Sequence, residues 1–106
     1  MLNAKVVFYV GLVTNEGKLL QPKTVIRHVS NIFKLQGWHG FTVTNHYGYW
    51  KGIPEQALSF TVFIDSKVDT KIIPATLART MAKLFKQEAV LWSVEPVHAC
   101  IEYAEG

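Results

Sequence analysis

Residues 45–52 read NHYGYWKG and bring His46, Tyr47, Tyr49, Trp50 and Lys51 together, punctuated by Gly48 and Gly52. Aromatic rings stack on planar groups, and a lysine ammonium meets an anion. Glu88, beside Gln87, can accept a hydrogen bond from a ligand or tie a helix end to a sheet. Tyr47, Tyr49, Trp50, Lys51 and Glu88 are therefore the candidate ligand-binding residues. The plainer role for the rings is to pack a hairpin end or a subunit contact. Strand alternation puts Tyr47 and Tyr49 on one face and Trp50 on the other. One flat pocket takes all three only if the strand twists or bulges, and Gly48 gives room for a bulge.

Other chemistry is harder to place. No G-x-S-x-G turn is present, and no Cys-His pairing is identifiable. Glu55, Asp65, Asp69, Glu88, Glu95 and Glu102 are scattered and form no acid–base pair. His98 and Cys100 point the same way on a strand, but no third ligand stands at metal-binding spacing. His28 falls among apolar positions of a helix and reads as a boundary residue. No glycine-rich phosphate loop is present. No catalytic residue, metal or cofactor is expected.

Hydrophobic residues are 49% of the chain and charged residues 18%, a globular balance rather than a disordered one. The 106 residues suit a single domain over 1–106. The net charge of +3 is spread over dispersed lysines, so no basic track argues for nucleic acid. Cys100 is the lone cysteine, which fits a reducing compartment. The apolar N-terminal run is too short for a membrane helix, and its β-branched content favours a strand. The reading is a cytoplasmic protein with no membrane partner.

Those residues need elements to hold them. Residues 4–13, AKVVFYVGLV, read as a central strand, apolar on both faces. TNEGK follows as a turn. Pro22, then Val25, Ile26, Val29, Ile32 and Phe33 at helical spacing, predict a helix over 22–36, with Gly37 as its stop. From Gly40 the period becomes two, through Trp50. Gly52 and Pro54 break the strand, so KGIPEQ reads as a loop of about six residues. Residues 57–64 form the third strand. Asp69 or Thr70 caps the second helix, with Pro74 near its start and Ile73, Leu77, Met81, Leu84 and Phe85 as its stripe. Residues 88–95 and 97–103 are strand-like, with Pro96 at a bulge or an edge.

This order predicts a ferredoxin-like α+β fold: βαββαβ, a four-stranded antiparallel sheet with two helices on one face. The RRM shares the order, and VFYVGL resembles its first strand. The third strand, however, lacks the basic residue and glycine, and alternation puts Phe60 and Phe63 on opposite faces. RNA binding is set aside. Large apolar residues on both faces of three strands imply a greasy open face, which homo-oligomerisation would cover.

Several stretches together resemble a small α+β family of unknown function with a PII-like, ferredoxin-like fold. They are a first strand ending in Gly11 and Leu12, a second carrying Gly40, Thr42, Val43, Gly48 and Trp50, and a last region carrying Gln87, Glu88, Val90, Leu91, Pro96 and Val97. PII proteins form trimers and bind nucleotides between subunits, near a long loop joining the second and third strands. The resemblance implies a ligand cleft between copies, although the corresponding connection here, KGIPEQ, is short.

The leading functional reading is a non-catalytic homo-oligomer holding a small ligand, a nucleotide or another anionic planar molecule, at a subunit boundary. Rings would stack on it, Lys51 would neutralise it and Glu88 would orient a donor. An alternative is a protein-interaction module, an inhibitor or adaptor with aromatic hot spots. Another is a small dimeric α+β barrel enzyme, with a His or Glu base in a cavity between sheet and helices.

Overall fold

The structure is a computed structural model and describes residues 2–65 and 71–105. Its elements are β1 (Leu2–Gly11), α1 (Pro22–Leu35), β2 (Thr42–Trp50), β3 (Ile53–Ile64), α2 (Ile72–Leu84) and β4 (Leu91–Ala99). All strand pairs are antiparallel, in the order β2-β3-β1-β4. Both helices cover one face, which gives the ferredoxin-like α+β fold expected from the sequence.

The core lies between sheet and helices. Ala4, Val6, Phe8 and Val10 of β1, with Leu12 just beyond it, alternate into it and meet Leu58, Phe60, Val62 and Ile64 of β3. Val25, Val29 and Phe33 close it from α1, and Leu77, Ala78, Met81 and Phe85 from α2 and its end. Phe33 is the hub: Phe8, Trp38, Phe41 and Phe60 pack their rings 5.3–6.3 Å from it. Leu84, placed in the apolar stripe of α2 by spacing, is instead 46% exposed, and Ala78 takes the inward position. The Asp69 or Thr70 cap lies outside the described residues.

Each helix ends in a Schellman motif. After α1, Gly37 (φ 78°) donates to Lys34 O and Trp38 to Phe33 O, which seats the Trp38 ring on Phe33. After α2, Lys86 (φ 51°) plays the glycine's part: it donates to Lys83 O, and Gln87 to Ala82 O at 2.8 Å. This sharp turn aims Gln87 and Glu88 back towards the end of the sheet.

The link between β2 and β3 is not a six-residue loop. Trp50 pairs with Ile53, so Lys51 and Gly52 alone make the turn. Both have positive φ, 50° and 78°, which is the type I′ geometry that suits a twisted hairpin. Pro54 lies within β3 opposite Tyr49 and tolerates the strand because β1 ends at Gly11, opposite Ala57. No strand lies on its other side to require its missing N–H.

At the opposite edge β4 starts at Leu91 and ends at Ala99, shorter than the 88–103 run suggested. Pro96 pairs with Ala4, and the register slips by one residue between there and Leu2↔Ala99, so the proline bends a single edge strand at a bulge.

The open face differs from expectation. It carries Thr42, Thr44, His46, Ser59, Thr61 and Ser93, and a Lys5–Glu95 ion pair at 3.5 Å. Val7 is buried there, Phe63 is 42% exposed opposite Lys5, and the end of the face nearest the β2–β3 turn carries Tyr9, Trp50, Ile53 and Leu91. Alternation placed these residues correctly, but their hydroxyls make the middle of the face wettable, and its apolar groups gather at one end.

Candidate functional site

A cavity of about 820 Å³ opens at one end of the sheet, where β1 runs out, the β2–β3 hairpin overhangs and the chain leaves α2. Tyr47, Tyr49, Trp50, Lys51 and Glu88 all line it, so the residues singled out by type converge. They do so without a bulge, since pairing is unbroken through Gly48↔Glu55. The cavity takes in both sides of the free hairpin end instead, beyond the reach of the helices.

Glu88 links the hairpin to the other wall. Lys51 Nζ donates to Glu88 Oε1 at 2.5 Å, and Trp50 Nε1 donates to Glu88 Oε2 at 3.3 Å. The Lys51 hydrogen bond, then that of Trp50, then the Lys51 charge hold the Glu88 carboxyl below the usual carboxylate range. Lys51 also lies 6.0 Å from the Trp50 ring centroid. In this structure the ammonium is paired within the protein.

Residues that spacing did not single out complete the cavity. Gly11 forms part of its floor: a Cβ there would stand 1.8 Å from Glu55 Oε1 and 2.8 Å from Gln87 Oε1. A side chain at residue 11 would displace the Glu55 carboxyl group from this position. Gln87 is fixed through Nε2, which donates to Val13 O at 2.9 Å and Phe85 O at 3.3 Å. Its Oε1 is thereby turned to the cavity. His46 accepts or donates through Nε2 to Ser59 Oγ at 2.5 Å, and its ring meets the edge of Tyr9 at 5.7 Å. A two-residue K-G turn was the signal that would have found Glu55, because it sets the register that places Glu55 across from Gly48.

The lining carries two carboxylates, Glu55 and Glu88, against one lysine, in a chain of net charge +3. Its local sign therefore favours a cationic ligand. The space between sheet and helices is filled by apolar side chains, so the expected base in a cavity there has no place. His28 packs on Phe85 at 6.1 Å, at the boundary expected for it. His98 and Cys100 are exposed, and no group of three metal-ligating side chains occurs among the described residues. No described helix is long and apolar enough to cross a membrane.

No protein-family model matches the chain, and no curated protein matches it. Solved structures do. A phage SAM lyase in complex with S-methyl-5′-thioadenosine superposes with a TM-score of 0.72 at 16% identity, covering 89% of this chain and 81% of that one. A phage SAM lyase in the apo state gives a TM-score of 0.65 at 19% identity, covering 88% and 79%. At these identities the likeness establishes the fold, a small α+β domain. It does not single out the PII branch of such folds. It also counts against the leading functional reading: both of these structures are SAM lyases, one holding S-methyl-5′-thioadenosine, and the non-catalytic reading is withdrawn.

Proposed function

We propose that this chain is a lyase that cleaves a carbon–sulfur bond of S-adenosylmethionine and releases S-methyl-5′-thioadenosine. The observation that carries the proposal is an aromatic cavity with an acidic excess, on a fold shared with a SAM lyase. The substrate has the matching parts: a planar base for Trp50, Tyr47 and Tyr49, and a sulfonium cation for a negatively biased site.

The chemistry also suits a chain with no recognisable nucleophile. When the bond between sulfur and the amino-acid Cγ breaks, its electron pair stays on sulfur and the thioether departs neutral. No general acid is required. The four-carbon fragment replaces the lost bond from its own carboxylate oxygen, giving a lactone, or from a Cβ–H bond, giving an alkene and one proton. The first route needs only positioning and partial exclusion of water, because opposite charges cancel as the bond forms. The second needs a base, and Glu55 is the carboxylate not already tied to a lysine. The purified protein incubated with S-adenosylmethionine should yield S-methyl-5′-thioadenosine by liquid chromatography with mass spectrometry, and the second product identifies the route. No thioether above the spontaneous background would refute the proposal.

We also propose that copies associate around this cavity, in the manner of PII-type assemblies. Supporting this, Tyr47, Tyr49, Ile53 and Leu91 stand on its rim and are each 64–76% exposed.

A further inference from the structure

The oxygen atoms over Gly11 have a second use. Glu55 Oε1 and Gln87 Oε1 crowd the same point, 1.8 and 2.8 Å from where a side chain at residue 11 would begin. Both are hydrogen-bond acceptors. Gln87 cannot turn its amide to offer a donor instead, because Nε2 is held by two carbonyls. The carboxyl group of Glu55 is half-buried and, among the described residues, makes no ion pair or side-chain hydrogen bond. The nearest lysine of the lining, Lys51, is engaged by Glu88. Gly48, across the hairpin from Glu55, has open space where a side chain would stand, so the approach to the carboxylate is clear.

We infer that Glu55 and Gln87, over Gly11, form a subsite for a primary ammonium group carried by the ligand. Two converging acceptors, one of them charged, satisfy two of the three N–H donors of an ammonium and neutralise its charge. A carboxylate or phosphate would meet repulsion at the same point. The subsite rests on the lyase reading for the rest of the ligand. It assigns the amino end of the substrate to the floor of the cavity and leaves the nucleoside to the aromatic hairpin. On the lactone route, which needs no base, Glu55 and Gln87 are positioning residues, since the ammonium takes no part in breaking the bond to sulfur.

Two neutral-sulfur ligands test this without turnover. S-Adenosylhomocysteine keeps the ammonium, and S-methyl-5′-thioadenosine lacks it. Calorimetric titration of Glu55→Gln should show binding of the first weakened about ten- to hundredfold, the scale of a charge-assisted hydrogen bond, with the second changed by less than about twofold. Gly11→Ala should give the same selective loss, because its Cβ displaces the carboxyl group. It also stands in should Glu55→Gln fail to fold, as judged by thermal melting. Equal losses for both ligands, or no loss, overturn the subsite while leaving the lyase reading in place. A wild-type chain that binds neither nucleoside overturns both.

Discussion

Trp50 shows what a single side chain does here. Its indole nitrogen is tied to Glu88, so the ring is oriented before any ligand arrives. Stacking of a base on such a ring is worth about 1–3 kcal/mol. Trp50→Ala is expected to weaken S-methyl-5′-thioadenosine binding by about tenfold or more in calorimetry, with little change in melting temperature because the ring is partly exposed. Residue type alone exposed this candidate: aromatic clusters flanked by glycines are visible in any sequence. Glu55 was invisible for the opposite reason. A lone carboxylate means nothing until the register shows it opposite Gly48 and above Gly11. The same bond offers a direct pH readout. Because Glu88 sits below the usual carboxylate range when folded, its contribution is present at neutral pH and is lost as pH falls through that depressed value. The Trp50 indole N–H resonance should therefore shift in an acid titration followed by NMR, and Glu88→Gln should abolish that shift.

The hairpin and the end of α2 decide where those side chains go, and their legibility differed. α1 was readable almost to the residue, because Pro22 starts it and Gly37 stops it with ordinary chemistry. The stop of α2 was not, since Lys86 occupies the left-handed position where glycine is the usual signal. The Lys51-Gly52 turn was likewise hidden behind Pro54, which reads as a strand breaker until β1 is seen to end short of it. Both turns carry a lysine at positive φ, and both set the geometry of the cavity. A left-handed conformation costs a non-glycine residue about 1–2 kcal/mol. Lys86→Gly should then stabilise the protein by about 1 kcal/mol in urea denaturation, with the flexibility of glycine in the unfolded chain offsetting part of the relief. A destabilisation would mean that the Lys86 side chain contributes more than its backbone strain removes.

The radius of gyration, 14.5 Å, exceeds the roughly 13 Å of a compact chain of this length, and the longest dimension is 49 Å. The excess fits a hairpin whose tip extends past the core with its aromatics in water. The expected self-association rested on a greasy sheet face, and that premise failed at the threonines and serines of β2 and β3. The rim of the cavity supplies a narrower motive, because Tyr47 and Tyr49 are 76% and 75% exposed. A subunit seated there would cover the hairpin tip and close the cavity together, so assembly and ligand affinity should fall in step. Native mass spectrometry at micromolar concentration is expected to show a closed multimer, and the double substitution Tyr47→Ser, Tyr49→Ser to shift it to single chains. Loss of assembly with nucleoside affinity unchanged would place the interface elsewhere and leave the cavity the property of one chain. A wild-type protein that runs only as single chains would remove the assembly, while the lyase assay would still decide the chemistry.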